Sequence, residues 1–138
     1  MSIQTWLDDF YPVDASDPSV QESELKAARH SLRKWRGLFP FNLEKHKVNI
    51  DIFFCILHDE KDDLEFNPIS SASCALCHYN KFYPDNSRDA CDTCIVTRFD
   101  LGCIEIDSAY RTFTLTRNPD PMVEVLDKCV QYLESEVE

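Results

Sequence analysis

An α+β fold, mainly helical, with a short β-hairpin and an irregular centre clamped by cysteines, is what the sequence predicts. Three observations predict it. Apolar residues recur at helical spacing near both ends of the chain, in 3–35 and again in 122–133. A period-two alternation runs from Val48 to Ile56. The stretch between them and the last helix is short in apolar runs and holds two Cys-x-x-Cys pairs. At 138 residues, 43% of them hydrophobic, the chain suits one domain with a modest core, taken here as residues 1–138.

Each element has its own local cause. Ser2 can cap a helix over residues 3–10, with Ile3, Trp6, Leu7 and Phe10 on one face and Pro12 ending it. Asp17-Pro18 suits an N-cap and first helical position, and Ser19-x-x-Glu22 offers an alternative capping box. From there Leu25, Ala28, Leu32 and Trp35 mark a helical face, and Gly37 suits the C-cap. "PFNLEKHK" reads as a further helical turn started by Pro40 or Asn42. Val48, Ile50, Ile52, Phe54 and Ile56 then alternate with Asn49, Asp51 and Phe53 as in a strand. After the acidic loop "HDEKDD", a second strand around 64–69 completes the hairpin. Leu101–Ile106 reads as another short strand, and Ser108 caps a helical turn holding Tyr110 and Phe113. Asp120-Pro121 opens a last amphipathic helix burying Met122, Leu126, Cys129, Val130 and Leu133.

Composition narrows the function. The formal net charge of −11 is uneven: residues 1–23 carry five acids and no base, and residues 24–47 carry seven bases against two acids. Such acidity disfavours nonspecific binding to a phosphate backbone and steers the chain toward basic partners. Only Gly37 and Gly102 occur, so no Walker loop, dinucleotide fingerprint or Gly-flanked serine elbow can be built. No nucleotide cofactor is expected. No apolar run approaches the roughly 20 residues that span a bilayer, and no membrane partner is expected. "MSIQTWLDDFYP" has two aspartates and no base, unlike a secretory or transit peptide, so the expected location is cytoplasmic. Thiols stay reduced there, and seven cysteines are then metal ligands and core residues sooner than a disulfide frame.

The chemistry concentrates in Cys74-x-x-Cys77 and Cys91-x-x-Cys94. A Cys-x-x-Cys turn sets two sulfurs about 3.5–4 Å apart, the bite that tetrahedral zinc needs at bonds of roughly 2.3 Å. Two turns supply four thiolates and close the sphere, which makes Cys74, Cys77, Cys91 and Cys94 the expected ligands of a structural Zn2+. His78 or Cys103 could replace one of them. His78, Lys81, Arg88 and Arg98 are near in sequence and could offset the charge of −2 on a tetrathiolate zinc centre. Thiol redox chemistry would call for a single pair on a βαβ unit, which this sequence lacks. Cys55 and Cys129 fall within apolar faces and read as core. His30 and His46 read as surface residues.

Two other functions compete. His58-x-Glu60 followed by Cys91-x-x-Cys94 has the order of a zinc deaminase, in which Glu moves protons beside the metal. Against it, Ala90 stands where that pattern has proline, and Cys74 and Cys77 would have no role. His46-x-x-Asn49 and His78-x-Asn80 are too thin for an HNH-type nuclease. The second competitor is nucleic-acid binding through a basic helix face of Lys26, Arg29, Arg33 and Arg36 with Lys34. A solvated helix face explains the same residues more simply.

The order "LRKWRGL … NLEKH … SCALC … CDTC … GC … YRTF … DPMVEVLDKCVQYL" resembles a group of small uncharacterised proteins encoded by bacteria and tailed phages. The resemblance covers Leu32 to Leu133, and "SCALC" with "DPMVEVL" is its most specific part. The chain departs from the group at Ile95-Val96, where the group has Pro-Leu. The resemblance implies a zinc site, raises Cys103 of the Gly-Cys as a candidate fifth thiol, and leaves function open. Together these readings favour a noncatalytic, zinc-stabilised acidic module that binds a protein of basic character, of inhibitor or immunity type. Nucleic-acid binding and zinc hydrolase or deaminase activity are the alternatives.

Overall fold

The computed structural model describes residues 2–51, 53–61, 63–80, 94–100 and 107–137. The strand expected over Leu101–Ile106, together with Cys91 and Cys103, lies outside the described residues.

Helix α1 spans Ile3–Phe10. Its start is a capping box: the Thr5 N–H donates to Ser2 Oγ at 3.3 Å, and the Ser2 N–H donates to Thr5 Oγ1 at 2.9 Å. Helix α2, Glu24–Arg36, begins later than Asp17-Pro18 suggests. Asp14 and Asp17 use their carboxylates on Ser16 and Ser19, which folds 14–22 into turns and leaves Ser23 to cap the helix. Helix α3, Pro40–Lys45, starts on Pro40, one of the two starts that the sequence offers.

The alternation from Val48 to Ile56 is not one strand. Strand β1 is Asn49–Ile50, strand β2 is Leu57–His58, and Phe53 and Phe54 form a turn between them. Asp51 is the cause. Its Oδ1 accepts the N–H of Phe53 at 2.6 Å and of Phe54 at 3.1 Å, a local bond that competes with extension. Cys55 closes the turn in the left-handed region, φ 59°. Strand β3, Glu65–Phe66, adds to β2, giving an antiparallel meander ordered β1-β2-β3 with Leu57 opposite both Ile50 and Phe66. The Phe66 ring docks the sheet on the N-terminal segment, 5.9 Å from Trp6 and 4.6 Å from Tyr11.

A 3-10 turn at Ser71–Ser73 leads into helix α4, Ala75–Tyr79. A second 3-10 turn covers Ile95–Arg98. Helix α5, Ala109–Thr116, is capped by Ser108, and helix α6, Asp120–Val137, follows the break at Arg117, φ 64°. The core lies where α2 meets α6, and Trp35 packs edge-on against Phe113 of α5 at 5.0 Å. Met122, Leu126, Cys129, Val130 and Leu133 are all buried, as their spacing requires. Cys55 and Cys129 are buried too.

Helix α2 buries more than its apolar stripe, because α4 packs on it as well as α6. Ala27, Ser31 and Lys34 form a second buried row at i, i+4, i+7. Lys34, counted with the basic face from the sequence, is therefore not a surface residue: it is 1% exposed. His46 is also corrected, being 1% exposed between α1 and α3. Among the described residues no helix is long and apolar enough to cross a membrane.

Candidate metal centre

Cys74 occupies the N-cap of α4 with extended backbone, and Cys77 sits one turn along the same helix. The Cys77 N–H donates to Cys74 Sγ at 3.4 Å, so the two thiols share one tight turn. Between them Ala75 and Leu76 are buried, which explains the apolar pair inside "SCALC": it pins the turn to the core. Neighbouring hydrogen bonds fix the entry to this turn. Gln21 Nε2 donates to the Ala75 carbonyl at 3.0 Å, and Ser73 Oγ donates to the Asn67 carbonyl at 2.9 Å.

Lys34 reaches the same place from α2. Its Nζ donates to the Ser73 carbonyl at 3.0 Å, one residue before Cys74, and lies 6.0 Å from the Trp35 ring centroid. The Cys74 thiol is held well below the ordinary thiol range. The hydrogen bond from Cys77 is the largest cause; Lys34 and the backbone N–H groups of Cys77 and Leu76 add to it against the opposing effect of burial. Such a thiol is ready to serve as a thiolate ligand, and the N–H bonds to sulfur are those a zinc-binding turn uses. The chemistry of this half of the donor set fits zinc.

The second pair is seen only in part. Cys94 is half-buried at the start of the Ile95–Arg98 turn, and its carbonyl accepts from the Thr97 N–H at 3.0 Å and from Thr97 Oγ1 at 2.7 Å. Buried Val96 anchors that turn, and Ile95 is packed against the core, in the places where the resembling group has Pro-Leu. Among the described residues no three metal-ligating side chains converge. The structure thus brings Cys74 and Cys77 together. His78 turns its Nε2 to the Ala72 carbonyl at 2.8 Å, so a ligand role would fall to Nδ1.

Arg98 lies over the Tyr132 ring at 4.4 Å, and Lys81 and Arg88 lie outside the described residues. Lys34, forty residues before Cys74, brings a buried cation to the start of the Cys74–Cys77 turn. Its burial had no local signal; only its i, i+4, i+7 spacing with Ala27 and Ser31 hints at a second packed face.

The remaining basic residues of α2 are engaged on the surface. Lys26 pairs with Glu22, Arg29 with Glu134 at 3.5 Å, and Arg36 with Asp127 at 3.8 Å. Arg33 Nε donates to the Asp9 carbonyl at 2.6 Å. As for the deaminase-like pattern, His58 sits on β2 opposite Asn49 and Glu65. Asp59 is buried and accepts the Ile3 N–H at 2.5 Å, a structural duty at the start of α1. Glu60 lines a cleft of about 270 Å³ with Lys47, Asn49, Asp59 and Lys61, and no described cysteine lines it. No protein-family model, no curated protein and no solved structure matches this chain.

Proposed function

We propose that the chain is a noncatalytic binding module, stabilised by Zn2+ on Cys74, Cys77, Cys91 and Cys94, whose partner is a basic protein. The metal supplies cohesion that a short, loop-rich middle cannot draw from apolar burial. One observation carries the binding reading. Phe53 and Phe54 stand 80% and 69% exposed at the tip of the β1–β2 turn, held there by Asp51. Turns are normally built from Gly, Asn, Asp or Pro, and two aromatic side chains there do nothing for the fold. Residues 48–73 around them carry six acids and one base. An apolar tip in acidic surroundings complements an apolar pocket rimmed by Lys and Arg.

The paired state of Lys26, Arg29 and Arg36 counts against the nucleic-acid alternative, since each already faces a carboxylate. The test is quantitative capture from a bacterial lysate on immobilised protein, with Phe53→Ser/Phe54→Ser as the comparison. A basic protein retained by the wild type, lost on the double variant and weakened by salt is the expected result. Equal retention on both chains, or a gel shift of DNA or RNA at physiological salt, overturns the reading.

A further inference from the structure

A disulfide holds its two Cβ atoms about 3.5–4.5 Å apart, and misplacement is stored as strain. Residues three apart within a helix face one another, but with Cβ atoms about 5–6 Å apart, more than a bridge prefers. Cys74 escapes that spacing because it is the N-cap of α4 and not part of it. Its backbone is extended, φ −100° and ψ 110°, and its side chain folds back over the first turn. The Cys77 N–H donates to Cys74 Sγ at 3.4 Å, so that sulfur already lies against the residue it would bond. Rotation of the Cys77 side chain is then the movement that closing requires. The turn itself is fixed: Ala75 and Leu76 are buried, and Gln21 Nε2 donates to the Ala75 carbonyl at 3.0 Å. Cys74 and Cys77 are half-buried, within reach of a small reagent, whereas Cys55 and Cys129 are buried.

We propose that Cys74 and Cys77 form a dithiol that exchanges with small disulfides of the glutathione class and closes to an intrachain disulfide. One thiolate attacks the small disulfide, which leaves a mixed disulfide on the protein and releases one small thiol. The other thiolate attacks the protein sulfur of that mixed disulfide; the intrachain S–S bond forms and the second small thiol leaves. The dithiol gives up two electrons and two protons, and the small disulfide is reduced to two thiols. The exchange needs no βαβ unit. It needs a pair that closes without backbone movement and that a reagent can reach. The inference stands apart from the zinc reading, yet bears on it: sulfurs joined to each other cannot both hold a metal.

The experiment equilibrates the full chain with oxidised and reduced glutathione at a series of ratios, with chelator present. Remaining thiols are then alkylated and the tryptic peptides mapped by mass. Residues 62–81 form one such peptide, which holds Cys74, Cys77 and no other cysteine. As oxidised glutathione rises, this peptide is expected to lose two hydrogens and escape alkylation, and to regain both thiols when reduced glutathione is restored. Cys55 and Cys129 are expected to take no part. In urea, half-closure is expected to need severalfold more oxidised glutathione, because the turn that pre-forms the pair is lost. In Cys74→Ser no second sulfur expels the glutathione from Cys77, so the mixed disulfide is expected to accumulate severalfold above its level in wild type. The wild-type peptide decides the matter without that variant. Alkylation of both its cysteines at every ratio, a lasting glutathione adduct, a cross-link to the peptide bearing Cys91 and Cys94, or equal closure in urea overturns the inference. Repeating the series with zinc in place of chelator separates the two readings. Protection of the pair by zinc supports the metal, and identical closure with and without zinc overturns the zinc reading while the dithiol stands.

Discussion

His46 meets Asp9 from inside the protein: its Nε2 stands 2.9 Å from Asp9 Oδ2, while Nδ1 lies 2.8 Å from Thr5 Oγ1. Asp9 and Thr5 are one turn apart on α1, so a single ring from the C-cap of α3 spans that helix's face. The edge of the same ring packs on Phe10 at 6.0 Å. His46→Leu keeps the volume and removes both polar contacts, leaving Thr5 with its capping-box bonds to Ser2. We expect a loss of about 1–3 kcal/mol in urea unfolding, the cost of hydrogen bonds removed from a buried site. A variant as stable as wild type would show that packing alone joins α1 to α3.

Gly37 is the C-cap of α2, yet it is right-handed, φ −66° and ψ −16°. Its need for glycine is therefore not conformational. A Cβ at this position would lie 2.6 Å from Phe10 Cγ and 2.7 Å from Trp6 Cζ2, while Trp6 Nε1 donates to the Gly37 carbonyl at 2.8 Å. Both aromatic rings belong to α1, and Trp6 is fully buried. Alanine there would stabilise a free helix end but here forces two rings apart. Gly37→Ala is expected to destabilise by about 1–3 kcal/mol through overpacking, read as a lowered denaturant midpoint with unchanged slope.

Much of this architecture was legible because it is local. The caps Ser2 and Ser108 and the face Met122–Leu133 follow from residue type and period, and all stand where those rules put them. The failures share a different cause. The alternation from Val48 to Ile56 hid a turn because Phe53 and Phe54 are strand-formers, and the Asp51 carboxylate, with the Cys55 N–H on the Asp51 carbonyl, reverses the chain. Lys34 and His46 read as surface because burial of a polar side chain is decided by what arrives from elsewhere in the chain. For Lys34 that is the 71–79 segment, and for His46 it is α1.

His30 supplies a pH dependence with a definite sign. Its Nε2 donates to the Val13 carbonyl at 2.6 Å, and its buried Nδ1 has no hydrogen-bond partner among the described residues. Protonation would place a second N–H where no described residue accepts it. Burial is the main reason that the ring's pKa lies below 6.5, with Lys34 and Arg33 pushing the same way and the Val13 bond and Asp14 opposing. The Tyr11 ring, edge-on at 5.0 Å, completes its surroundings. The unfolded chain then binds the proton more readily than the folded one. The contribution is fully present above pH 6.5 and is lost as pH falls from there through the folded pKa. His30→Gln keeps a donor for Val13 and removes the titration. Its melting temperature should therefore fall less than that of wild type across that window, and parallel curves would refute the assignment.

Metal removal tests the centre most directly. The turn bearing Cys74 and Cys77 is held by Gln21, Ser73 and Lys34, and it packs on α2. If a metal joins these thiols, its removal loosens a turn packed on α2, so the effect falls on α2 as well as on the loop. Chelation and Cys74→Ser are both expected to lower the melting temperature by many degrees. Amide exchange should quicken first in 71–80 and next at the Ala27–Ser31–Lys34 row of α2. The face of α6 that packs on α5 should be protected longest, since its burial is wholly apolar. An unchanged melt after chelation would mean that these thiols hold no structural metal. The low-pKa Cys74 and its neighbour Cys77 would then have to be explained as a reactive thiol pair.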